Sequence, residues 1–172
     1  EVGYLVTGAD QERKRQVKGI SAMKQLRGVI FGIDKVLVTQ EASNDELINQ
    51  VGQLTTFLLS KGITPVILAN RIWTSNQRPL QEALAGILGN FPWFVANRDG
   101  FPCKPLAASI QYVLDQMGWD PAETIYVGNT EHDMRTAVNG GVLFLNATWY
   151  GKTVDYGFEF SSPKDVAKFV DV

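Results

Sequence analysis

The sequence predicts an α/β fold: a central parallel sheet with helices on both faces. Three observations carry this. From residue 28 onward, short apolar runs suited to buried strands alternate with segments of helical periodicity. Strands separated by helices argue for parallel pairing with both faces covered. Polar residues (Asp34, Asn70, Asn129) close several of the runs, where such sheets place their working groups.

The elements follow in order. "GVIFGI" (28–33) is the first strand, ending at Asp34. A helix is expected from Ser43 to Ser60, where Leu47, Ile48, Val51, Leu54, Leu58 and Leu59 recur at helical spacing. Ser43 is its expected N-cap with Glu46 at the capping-box position, and Gly62 its stop. "TPVILAN" is the second strand, "RPLQEALAGIL" a helix and "WFVAN" a short third strand. "KPLAASIQYVLDQMG" reads as a helix with Pro105 near its start. "TIYVGN" is a strand, "EHDMRTAVNG" a helix and "VLFLNA" a strand. "GFEF" is a further short strand before a final helix, "SPKDVAKFV".

Bulk properties bound the function. A chain of 172 residues suits one domain with a substantial core. Its 45% apolar and 20% charged residues are ordinary for a soluble globular protein. A net charge of −2 leaves no global basic footprint, so nucleic acid is not an expected partner. The single cysteine, Cys103, forms no internal disulfide, which fits a reducing, cytoplasmic setting. No apolar stretch reaches the roughly 18 residues of a membrane span. No signal peptide is recognisable.

Residues 1–27 form a separate basic segment, expected to be helical, ahead of the 28–172 domain. In it Arg13, Arg15, Lys14 and Lys18 cluster with no interleaved aromatics. The bland expectation is a solvated helix face; the sharper one is a docking arm for an acidic partner or adjacent domain. The start at Glu1 rather than Met suits a domain of a longer protein.

Four stretches then carry a resemblance: "GIDKVL", "ILAN", "CKP" and "VGNTEHD", in that order. They resemble the motifs of the haloacid dehalogenase (HAD) superfamily. In that family the first strand ends in Asp-x-Asp-Gly-x-Leu, the second in Ser or Thr, a Lys precedes a later helix, and the fourth strand ends in Gly-Asp-x-x-x-Asp. The resemblance covers about residues 28–170 and implies the family's three-layer Rossmannoid fold. It also implies phosphoryl transfer through an aspartyl-phosphate. The first Asp attacks phosphorus, the second is acid and base, Ser/Thr and Lys hold phosphate, and the acids bind Mg²⁺. An Asp nucleophile splits one hard step into two. Cations and metal offset charge on the transferring group.

Position by position, the resemblance implies a depleted site. Gly32 stands at the nucleophile position, and Asp34 keeps the acid/base position. Ala69 stands where the phosphate hydroxyl would be, with Asn70 beside it as a substitute donor. Lys104 is kept as the phosphate-binding lysine, so Asn70 and Lys104 are the expected substrate contacts and Asp34 and Lys104 the residual catalytic pair. Asn129 replaces the first acid of the fourth motif and Asp133 is kept. Asp34, Asn129 and Asp133 are therefore a weak or vestigial Mg²⁺ set. Lys35 occupies the usual Gly position.

Asp34 could instead be the nucleophile, since "DKVLVT" is similar to the "DKTGT" loop of P-type ion pumps. Val36, Leu37 and Val38 then leave no small residue for phosphate approach. Each residue also has a plain structural use: Asp34 as a loop cap, Lys104 as a surface lysine, Asn129 and Asp133 as turn and helix-start residues. His132 is expected to face solvent. Trp93 and Trp119 suit core or rim, while Trp73 and Trp149 could flank the site mouth. The intervals 34–69 and 70–104 leave no room for a cap domain. The expectation is a capless, HAD-like module without phosphatase activity, binding a protein partner, an adjacent domain or a phosphate-bearing ligand. The rivals are a weak Mg²⁺-dependent phosphohydrolase using Asp34, and a purely structural domain.

Overall fold

The computed structural model describes residues 25–37, 45–70 and 92–171. Six parallel strands form one sheet: β1 (Gly28–Phe31), β2 (Thr64–Ala69), β3 (Trp93–Val95), β4 (Thr124–Gly128), β5 (Leu143–Ala147) and β6 (Glu159–Phe160), in the order β3-β2-β1-β4-β5-β6. The helices are α1 (Asp45–Ser60), α2 (Ala96–Asp99), α3 (Ala107–Met117), α4 (Glu131–Gly140) and α5 (Pro163–Val170).

Alternation along the strands makes two cores. Val29, Phe31, Ile67, Ile125, Val127 and Leu145 turn to one face and pack with Ile48, Val51, Leu54 and Leu58 of α1 and Val166 of α5. Ile30, Val66, Leu68, Tyr126 and Phe144 turn to the other, against Ile110, Val113 and Leu114 of α3 and Ala137 of α4. The three-layer α/β expectation is therefore met. Strand β1 sits at the centre, hydrogen-bonded to β2 and β4 on either side. The order of strand connections reverses there, so the carboxyl ends of β1, β2 and β4 open onto a common crevice.

Several element boundaries differ from the sequence reading. Ala96 and Asn97 begin the short α2 rather than ending β3; Asp99 accepts the Val95 N–H at 2.9 Å and closes that turn. Helix α3 starts at Ala107, so Pro105 lies ahead of it in a turn whose Lys104–Pro105 peptide is cis. Helix α1 ends as expected, with Gly62 in the left-handed conformation at φ 76°. The Ser43 cap, the 78–88 helix, Trp73 and the basic cluster at 13–18 lie outside the described residues.

Candidate functional site

The crevice holds a cavity of about 220 Å³ lined by Ile33, Asp34, Leu68, Ala69, Asn70, Lys104, Thr130 and His132. It gathers residues from the first, second and third motifs, with the start of α4 on its rim. Buried Asp133 reaches it through the cavity-lining Lys104.

Gly32 follows β1 directly, and its N–H donates to Val127 O at 2.9 Å. The chain then turns, with the N–H groups of Val36 and Leu37 both donating to Ile33 O. Lys35 occupies the left-handed region at φ 56°. A lysine thus adopts the backbone shape for which the family pattern uses glycine, at a cost of about 1–2 kcal/mol. Leu37 is fully buried in the α1-side core. Loop 148–157 grips this turn from the far side: Trp149 Nε1 donates to Val36 O at 2.8 Å and Tyr150 Oη to Leu37 O at 3.3 Å. Trp149 therefore braces the loop after β1 and does not line the cavity.

Asp133 is the electrostatic centre. It lies one turn into α4, whose N-cap Thr130 accepts the Asp133 N–H at 3.1 Å. Its carboxylate is 1% exposed and pairs with Lys104 Nζ at 2.5 Å. Tyr126 Oη donates to the same oxygen at 2.6 Å, and the Asn129 N–H reaches the other at 3.4 Å. Burial pulls the Asp133 pKa up, but the charge and hydrogen bond of Lys104, with the bonds from Tyr126 and Asn129, outweigh it and hold the carboxyl below its ordinary value. Burial, then Asp133, pushes Tyr126 far above its ordinary value, so it remains a neutral donor.

The Asp133 carboxylate also fills the space beside Gly32. A Cβ at residue 32 would stand 2.5 Å from Asp133 Oδ2, a separation that real Cβ atoms essentially never show. A side chain at 32 would have to displace Asp133 from Lys104 and Tyr126.

Asn129 is buried and fully engaged. Its amide donates to Ala147 O at 2.6 Å and Gly151 O at 2.8 Å, while its oxygen accepts from Thr153 Oγ1 at 2.5 Å. Asn70 brackets the backbone of Lys104, accepting its N–H at 2.6 Å and donating to its carbonyl at 3.2 Å. Ala69 offers only a methyl. His132 is exposed on the rim. Asp34 is half-buried; its Oδ1 is buried without a hydrogen-bond partner among the described residues. Its pKa is raised, chiefly by burial, with Lys104 pulling it back and Asp133 adding to it. Among the described residues no three His, Cys, Asp or Glu side chains stand close enough to hold a metal ion.

Asp34, Asn70 and Lys104 thus meet at one cavity, with Asp133 behind Lys104, whereas Asn129 faces loop 148–157. Sequence reasoning missed Tyr126, hidden in an apolar strand run, and Thr130. The second had a cue: a Thr three residues before an acid at a helix start is a capping pattern.

Fold and crevice together define a HAD-type α/β domain, and comparison with known proteins agrees. A model of the haloacid dehalogenase-like hydrolases matches residues 6–141, and the chain belongs to that family. No curated protein matches it. Among solved structures it is similar to the core domain of a protein assigned as a phosphoglycolate phosphatase from Streptococcus pneumoniae TIGR4. That match has 18% identity and a TM-score of 0.62, covering 87% of this chain and 98% of that one. A protein from Bacteroides vulgatus assigned as a β-phosphoglucomutase is 14% identical with a TM-score of 0.65, over 91% and 96% of the two chains. A HAD-superfamily hydrolase of subfamily IA from Geobacter sulfurreducens PCA is 14% identical with a TM-score of 0.56, over 84% and 99%. At these identities the likeness shows the fold alone.

Proposed function

We propose that this domain carries no aspartyl-phosphate chemistry and acts as a binding or regulatory module for a protein or a phosphate-bearing ligand. One observation carries the reading: the Asp133 carboxylate occupies the space next to Gly32 where a nucleophile's side chain would begin. A missing side chain alone would leave a gap that a substrate oxygen or water could enter. Here the gap is closed by a buried ion pair with its own hydrogen bonds.

The remaining groups support the same reading. Lys104, the expected phosphate cation, is committed to Asp133. The Asn129 oxygen accepts from Thr153 and its amide hydrogens are on backbone carbonyls, so it is not a free ligand for Mg²⁺. Asp34 and Asp133 are left as carboxylate donors, and one oxygen of Asp133 is already shared by Lys104 and Tyr126. Mg²⁺ requires near-octahedral oxygen ligation and gives up water reluctantly, so this set fits it poorly. The intervals 34–69 and 70–104 hold too few residues for a cap domain. A crevice without a cap domain would suit a large partner. Family membership does not itself confer activity.

The test is hydrolysis of an aryl phosphate with Mg²⁺, run on the wild type and Asp34→Asn. Equal, background-level rates in both proteins are expected. Turnover that disappears in Asp34→Asn would replace this reading with a phosphohydrolase using Asp34.

A further inference from the structure

We infer that the cavity beside Asp34 receives an ammonium or guanidinium group on an alkyl stem, and not a phosphate. The inference rests on the non-catalytic reading and narrows its ligand, taking a cationic group over the phosphate-bearing one.

The charge balance of the lining points this way. The ammonium of Lys104 is paired with Asp133 and also donates to Tyr126 Oη at 3.3 Å, and the ion pair is 10% and 1% exposed. That leaves Asp34 as a carboxylate in the lining with no ion-pair partner among the described residues. A phosphate dianion entering here would meet Asp34, and Lys104, the cation of the lining among the described residues, is already paired with Asp133. The hydroxyl expected at the end of β2 is the methyl of Ala69, and Asn70 is fastened at both ends to the Lys104 backbone. The α4 N-terminus, a natural anion site, already carries Glu131 and Asp133 in its first turn, and Thr130 takes the Asp133 N–H.

The shape fits an amphipathic cation. Ile33, Leu68 and Ala69 supply an apolar wall, and Asp34 a carboxylate beside it, within about 220 Å³. Lysine and arginine side chains present this combination, an alkyl stem packed on apolar surface and a charged tip. A charge-assisted hydrogen bond to carboxylate is stronger than a neutral one.

The test is calorimetric titration of the full chain with N-acetyl-lysine amide, N-acetyl-arginine amide, butylamine and inorganic phosphate. Saturable binding of the cations and none of phosphate is expected, with cation affinity about tenfold weaker in Asp34→Asn. Tighter binding of the blocked amino acids than of butylamine assigns a protein side chain as the source; the reverse order assigns a small amine. Arg71 follows Asn70 in the sequence, so Arg71→Ala is titrated alongside. Cation binding seen in Arg71→Ala alone would make the chain's own guanidinium the occupant and overturn an external ligand. Phosphate binding tighter than the cations, cation binding indifferent to Asp34→Asn in a protein with an unchanged melting profile, or no binding by any of the three proteins would also overturn it. The same preparations are assayed for aryl-phosphate turnover. Failed cation binding in an inert protein thus sinks this inference alone, whereas Asp34-dependent turnover sinks the non-catalytic reading.

Discussion

Replacing Lys104 with Met isolates the interaction on which the site is built. Lys104 Nζ lies 2.5 Å from Asp133 Oδ1, and Asp133 is 1% exposed. Removing the cation while keeping its apolar volume strands a carboxylate in the interior with Tyr126 and the Asn129 N–H as remaining donors. Breaking one side of such a buried pair typically costs ~3–5 kcal/mol. For a chain of this size each kcal/mol moves Tm by about 2–4 °C, so Tm should fall by about 6–20 °C at neutral pH. The pH dependence gives a second signature. In the wild type the Asp133 pKa is depressed below 3.8, so its stabilisation is present above that value and lost as pH falls through the folded pKa. In Lys104→Met burial dominates and raises it, so the penalty is complete above the new folded pKa and shrinks as pH falls toward 3.8. Adding Asp133→Asn should recover most of the lost stability at neutral pH, because the stranded charge is gone. The assay is thermal unfolding followed by circular dichroism across the acid range. A Tm loss of less than about 2 °C that is flat with pH would refute the claim that this pair organises the site.

Other perturbations follow from the same geometry. Gly32→Ala places a Cβ 2.5 Å from Asp133 Oδ2 and should destabilise the fold by about 1–3 kcal/mol, read by denaturant titration. Lys35→Gly relieves the left-handed backbone at φ 56° and should stabilise by about 0.5–1 kcal/mol, a rise in Tm of a few degrees; an unchanged or lower Tm would contradict it. Asn129→Asp, the substitution that restores the family's acid, turns a carboxylate toward Ala147 O and Gly151 O. It should cost about 2 kcal/mol or more, in chemical denaturation, and loosen the loop that braces the Val36 turn.

Much of the fold was legible because the strands are apolar runs set between helices of clear periodicity, such as Ile110, Val113 and Leu114 in α3. Positions 96–97 and 105 were misplaced where a few residues decide the local structure. The "WFVAN" run looks uniform, but Asp99 folds its end back onto Val95. Gly32, Ala69 and Asn129 are plain in the sequence, because each stands in a recognisable motif. What surrounds them in space is not. The contact between Gly32 and Asp133 depends on the relative heights of β1 and α4, which no motif encodes. Tyr126 reads as one more apolar strand residue until the sheet places its hydroxyl against Asp133. Asn70 reads as a hydrogen-bond donor to phosphate, and its pairing with a backbone 34 residues away leaves no local trace.

On the non-catalytic reading, no side chain of this domain accepts a phosphoryl group. Intact-mass spectrometry after incubation with an aryl phosphate and Mg²⁺, quenched in acid to preserve an acyl phosphate, tests it directly. The unmodified mass is expected at every time point. A species heavier by one phosphoryl group, mapped to Asp34 by fragmentation and missing from Asp34→Asn, would contradict it.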